Sequence, residues 1–119
     1  MKKILLVEDN NINADMLKRR FENKGFKVWI DSEAEEAIKT VSKFQPDIIL
    51  MDMDLPGMDG WECTKQLKKN PETMHIPIIA TTAFAIIGER EKALLAGCDE
   101  YESKPINFEQ LLNKINKLI

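Results

Sequence analysis

Long apolar runs are missing from this sequence. Ile4 to Val7 and Ile48 to Met51 are runs of four, far short of the roughly 20 residues that carry a helix across a bilayer. The amino terminus is Met1-Lys2-Lys3, followed at once by the first of those runs and then by Glu8-Asp9. It lacks the longer apolar stretch and small-residue cleavage site of a secretory signal, so no membrane association and a cytoplasmic location are expected. Cysteine is scarce: Cys63 and Cys98 are lone thiols without a C-x-x-C spacing or a neighbouring histidine. They read as small apolar residues on helices, not as redox or metal groups. The single histidine, His75, lies in a proline-flanked loop with no partners for a phosphohistidine or metal role, and a surface position is expected. Clustered basic charge is lacking too. Lys and Arg are scattered and the formal net charge is −3, which disfavours direct nucleic-acid binding.

What is present is an ordinary globular composition, 44% apolar and 31% charged over 119 residues, the size of one domain with one core. Apolar runs alternate with helical patterns. Lys3 to Val7 reads as a buried strand. Ile12, Met16, Leu17 and Phe21 then recur near helical spacing until Gly25, where a helix end needs a positive φ. Phe26 to Ile30 is a second strand. Ser32-Glu33-Ala34-Glu35 has the form of a capping box, and Ala34, Ala37, Ile38 and Val41 make an apolar stripe that ends at Pro46. Ile48 to Met51 is the third strand. The turn-rich segment Leu55-Pro56-Gly57-Met58-Asp59-Gly60 leads into a helix with Trp61, Thr64 and Leu67, which breaks near Asn70-Pro71. Ile78 to Thr82 and a helix through Ala93 and Leu94, closed by Gly97, make the fourth cycle. A short strand around Tyr101 and a terminal helix capped by Asn107, burying Phe108, Leu111, Leu112, Ile115 and Leu118, make the fifth. Five strand–helix cycles with short links predict one α/β domain over residues 1–119, a doubly wound parallel sheet with helices on both faces.

Open α/β sheets bind ligands beyond the carboxyl ends of their strands. The residues leaving those ends are Glu8-Asp9, Asp52, Thr81-Thr82 and Lys104-Pro105. Two carboxylates about 4 Å apart repel by roughly 4 kcal/mol at an effective dielectric near 20, so three together call for a cation. Oxygen ligands without histidine or thiolate select Mg²⁺, or Mn²⁺ in its place. A carboxylate such as Asp52 is a competent nucleophile toward phosphorus. A lysine, a hydroxyl and backbone N–H groups could hold the phosphoryl oxygens.

The runs Ile4-Leu5-Leu6-Val7-Glu8-Asp9-Asn10, Asp47 through Gly60, Pro77-Ile78-Ile79-Ala80-Thr81-Thr82-Ala83 and Lys104-Pro105 resemble the receiver domains of bacterial response regulators. The likeness runs from Lys3 to the terminal helix. It implies a five-stranded flavodoxin-like receiver fold of strand order 2-1-3-4-5 with five helices. It implies Asp52 as phosphoacceptor, taking phosphate from a sensor histidine kinase or a histidine phosphotransfer protein. Glu8 (through water), Asp9, Asp52 and the backbone carbonyl of Asp54 would hold Mg²⁺. Thr82 would be the switch hydroxyl, Lys104 a phosphoryl contact ahead of a cis Lys104–Pro105 bond, and Tyr101 the aromatic that follows Thr82. Phosphorylation would repack the face made by the fourth helix, fifth strand and fifth helix, and so control a downstream effector protein. The chain would be a monomer or a phosphorylation-dependent dimer, promoting only its own phosphorylation and dephosphorylation. With no effector segment after the receiver, output would pass through another protein, unless the chain is a fragment.

Several residues depart from the pattern or admit a plainer role. Asp54 stands where the family usually has an uncharged or amide residue. It reads as a solvated loop carboxylate, or else as a charge beside the phosphoryl group that shortens its lifetime. Glu102, where an apolar residue is usual, is expected to discourage edge pairing. Trp29 and Trp61 are expected in core or semi-buried packing, and Thr81 on the opposite side of its strand from the site. Ile86-Ile87 is open between a partner contact and loop packing. A rival reading takes Asp52-Met53-Asp54 as the nucleophile motif of a haloacid-dehalogenase-like phosphatase, with Asp54 as acid–base. That motif opens such domains on their first strand, whereas here it follows the third, and Glu8-Asp9 would go unused. A nucleotide-binding flavodoxin-like module is weaker still, since no glycine-rich phosphate loop follows the first strand.

Overall fold

Strand and helix alternate five times in the computed structural model, which describes residues 1–55, 57–83 and 89–119. Pro56 and the Ile86-Ile87 pair lie outside the described residues. The elements are β1 (Lys3–Val7), α1 (Asn11–Asn23), β2 (Lys27–Asp31), α2 (Ala34–Phe44), β3 (Ile48–Asp52), α3 (Gly60–Lys69), β4 (Ile78–Thr82), α4 (Glu89–Ala96), β5 (Glu100–Ser103) and α5 (Phe108–Leu118). The strands form one parallel sheet in the order β2-β1-β3-β4-β5, as expected.

Continuous apolar strands are what a sheet covered on both faces requires. Alternate residues of one strand feed opposite layers. Leu5, Val7, Ile49, Met51, Ile78 and Ala80 pack with Ala34, Ala37 and Val41 of α2, Cys63 and Leu67 of α3, and Ala93 of α4. Ile4, Leu6, Ile48, Leu50 and Ile79 pack with Ala14, Leu17 and Phe21 of α1 and Phe108, Leu111 and Ile115 of α5. Each large side chain withdrawn from water here contributes about 1.5–3 kcal/mol. Side-chain caps start three helices: Asn10, Asp59 and Asn107 accept from the backbone N–H three residues on, and Gly25 leaves α1 at φ +92.

Local details differ from the sequence-based reading where tertiary contacts outbid local pattern. The capping box does not form: α2 is capped by Glu33 without a side-chain bond, and the Glu35 carboxylate instead accepts from the Met58 N–H at 3.0 Å. Ile12 and Met16 are exposed, and α1 buries Ala14, Leu17 and Phe21. Trp29 is half exposed, lying against Phe44 and donating its indole N–H to Asp31, while Trp61 packs partly buried against the core. Glu102 is not a solvent-facing guard. It is 4% exposed, and Lys114 of α5 donates to its carboxylate at 3.1 Å. Cys63 and Cys98 are both buried, Cys63 on α3 as expected but Cys98 in the link between α4 and β5 and not on a helix, and burial pushes their thiols up to about 12 and about 11. His75 is exposed. Among the described residues, no helix is long and apolar enough to cross a membrane.

Candidate functional site

Sheet register assembles the site. Val7 pairs with Met51, so Glu8 and Asp52, each one residue further on, emerge side by side at the carboxyl edge. On the other flank Asp52 pairs with Thr81 and Thr82 with Ser103, which delivers Thr82 and Lys104 to the same edge. The Lys104 N–H donates to the Thr82 carbonyl at 2.7 Å, and the Lys104–Pro105 bond is cis. Glu8, Asp9 and Asp52 each offer a carboxylate oxygen, all within 4.8 Å of one another. Glu8 and Asp52 are buried while Asp9 is exposed. Unit charges at that spacing repel by roughly 3 kcal/mol at an effective dielectric near 20. Three oxygen donors, one of them open to water, suit a hard divalent cation that keeps part of its hydration.

Lys104 offsets part of the repulsion. Its Nζ donates to Asp52 Oδ2 at 3.1 Å and to both Glu8 oxygens at 3.4 Å. Burial pulls its pKa down, but the charges and hydrogen bonds of Asp52 and Glu8 leave it raised. Glu8 is pushed up to about 8, first by burial and then by the hydrogen bond and charge of Asp52. Asp52 goes the other way. Burial raises it, but the bonds from Glu8, the Asp54 N–H and Lys104 outweigh burial and hold it below the ordinary carboxylate value. The two buried carboxylates are thus shifted in opposite directions, Glu8 toward holding its proton and Asp52 toward the charged form. The Asp54 N–H, 2.8 Å from Asp52 Oδ1, fixes its carboxylate plane.

Thr82 reaches this group through Asp54, whose two carboxylate oxygens accept from its hydroxyl at 3.1 Å each and from the Ala83 N–H at 2.9 Å. Asp54 is thus exposed but not simply solvated. Tyr101 sits on β5 opposite Ala80, half-buried against the core. Thr81 is buried and donates to the Met51 carbonyl. Two residues contribute in ways that the sequence pattern did not show. A Cβ on Gly60 would lie 2.5 Å from the Asp52 carbonyl oxygen and 2.8 Å from Met53 Cα, so α3 can start against the back of Asp52 only with glycine there. Glu35, through Met58, pins the loop between β3 and α3.

The response regulator receiver domain family matches residues 4–116. The chain belongs to this family. It is a receiver domain of two-component signalling, and the haloacid-dehalogenase-like alternative has no support. The receiver is 37% identical to the polar-differentiation response regulator DivK of Brucella anthropi over 118 residues, 99% of this chain and 96% of that protein. In structure it is similar to a CheY-like receiver domain protein of Methanospirillum hungatei, with a TM-score of 0.90 and 32% identity over 99% of this chain and 94% of the other. It is also similar to the receiver domain of a sensor histidine kinase from Pseudomonas aeruginosa, with a TM-score of 0.89 and 32% identity over 98% and 96% of the two chains. That domain holds a magnesium ion coordinated in its active-site cleft.

Proposed function

We propose that Asp52 is the phosphoacceptor of this receiver and that residues 1–119 act as one signalling domain. One observation carries the reading: a buried Asp52 carboxylate held between the Lys104 ammonium and the Asp54 N–H, beside two further carboxylates. The Asp52 carboxylate attacks the phosphorus of a phosphohistidine. A P–O bond forms as the P–N bond breaks, and the electron pair leaves with the imidazole of a sensor kinase or phosphotransfer protein. Lys104 exchanges its hold on Asp52 for a phosphoryl oxygen, and Thr82 supplies a hydroxyl donor to another.

Glu8, Asp9, Asp52 and the Asp54 carbonyl would hold Mg²⁺, with Mn²⁺ able to substitute. The fit rests on the all-oxygen donor set and its mutual spacing, and the magnesium-holding receiver from Pseudomonas aeruginosa supports it. When bound, the ion supplies positive charge that stabilises the transferring phosphoryl oxygens. With the phosphoryl group in place, Thr82 moves toward it and Tyr101 follows, repacking the face of α4, β5 and α5 that a downstream effector reads. The domain works in the cytoplasm, as a monomer or a phosphorylation-dependent dimer, and catalyses only gain and loss of its own phosphoryl group.

Incubation with a phosphorylated histidine kinase or with acetyl phosphate tests this. One phosphoryl group per chain, dependent on Mg²⁺ and absent in Asp52→Asn, is expected. Turnover of a phosphomonoester without a stable aspartyl phosphate, or equal labelling of Asp52→Asn, would reject it.

A further inference from the structure

Residue 54 touches the site in two ways that pull in opposite directions. Its backbone N–H donates to Asp52 Oδ1, which steadies the acceptor. Its side chain takes the Thr82 hydroxyl, the donor that the proposed function gives to a phosphoryl oxygen, and the neighbouring Ala83 N–H. A hydroxyl and an amide each have one proton to give. While Asp54 accepts them, neither serves the phosphoryl group.

We propose that the Asp54 carboxylate is a latch on the switch. It holds Thr82 and the Ala83 amide in the unphosphorylated arrangement, and phosphorylation must win both donors from it. The proposal deepens the phosphoacceptor reading and rests on it. The latch can yield because Asp54 is exposed, so the released carboxylate is taken up by water instead of being stranded. A residue with no acceptor at this position would remove these bonds from both donors, and a larger share of molecules would hold the phosphoryl-competent arrangement before any phosphate arrives. Asp54 is therefore a positioning residue acting through Thr82, and its side chain sets the threshold of the switch.

A double-mutant cycle with beryllofluoride as phosphoryl mimic, in the presence of Mg²⁺, separates this role from simple charge repulsion. In calorimetric titrations, Asp54→Ala should tighten beryllofluoride binding by roughly tenfold, the order expected for losing a competing charge-assisted hydrogen bond. In a Thr82→Ala background the same substitution should gain no more than about threefold. Asp54→Asn, which keeps an acceptor oxygen without the charge, should fall between wild type and Asp54→Ala. In the ligand-free protein, exchange of the Ala83 amide should speed up in Asp54→Ala and be partly restored in Asp54→Asn.

An equal gain in both backgrounds would mean that Asp54 does not act through Thr82 and would overturn the latch. Unchanged Ala83 exchange would also overturn it, whatever the titrations show. Failure of the wild-type protein to bind beryllofluoride, or equal binding by Asp52→Asn, would instead strike the phosphoacceptor reading, and the latch would fall with it.

Discussion

At the scale of single residues, the raised pKa of Glu8 beside Asp52 has a measurable consequence. Glu8 ordinarily titrates at 4.5 and in the fold is pushed up to about 8. Between those values the folded protein keeps a proton that the unfolded chain has lost, so its stability falls as pH rises through that window. Asp52 is shifted down, so its own contribution is lost only on acidification, on the other side of the window. The cation-free protein should therefore melt several degrees lower at pH 8 than at pH 5, and Glu8→Gln should flatten that slope. Binding of Mg²⁺ at pH 7 should release close to one proton, read from calorimetric titrations in buffers of different ionisation enthalpy. A release of zero would mean that the pair is not protonated. Gly60 makes a second prediction at this scale. Gly60→Ala forces a methyl group against the Asp52 and Met53 backbone and should cost about 1–3 kcal/mol. Urea unfolding would read the loss, and, on the proposed function, slower phosphorylation should accompany it because Asp52 itself is displaced.

At the scale of elements, β5 and α5 are joined by an unusual bond. The Glu102 carboxylate is buried on an edge strand, where Lys114 reaches back from α5 to it and to the Tyr101 carbonyl at 2.6 Å. Removing one partner of a buried pair leaves a charge without compensation, whereas replacing both with apolar groups is often neutral. Lys114→Met should cost about 2–4 kcal/mol, and Lys114→Met combined with Glu102→Leu should recover most of it. If the double variant is as unstable as the single, the pair is not what joins these elements. Since the same strand carries Tyr101, the single variant should also loosen the half-buried tyrosine, visible as faster exchange of β5 amides.

At the scale of the whole molecule, crowded charge at one edge is set against a core packed on both faces. A cation that binds only the folded chain stabilises it by mass action, about 2.7 kcal/mol at 100 times its Kd. For a domain of this size that raises Tm by on the order of 10 °C. Mg²⁺ should produce that shift in wild type and none in a variant carrying both Asp9→Asn and Asp52→Asn. A sodium salt of equal ionic strength should not reproduce it, which separates a site from general screening.

The order of elements, the two-sided burial of the strands and the identity of the strand-end residues were all legible in the linear pattern, because alternation of apolar runs with helical spacing leaves a parallel sheet few alternatives. Local sequence also marked the Asn107 cap of α5, since a cap needs only its own first turn. What it could not reveal were contacts between residues far apart in the chain. Glu35 gives up a capping box for Met58, Glu102 is buried because Lys114 comes to meet it, and Asp54 engages Thr82 and Ala83 across a loop. Gly60 matters only because the back of Asp52 lies against it. A side chain's partner is decided by what the fold brings within about 3 Å, and no reading along one dimension contains that distance.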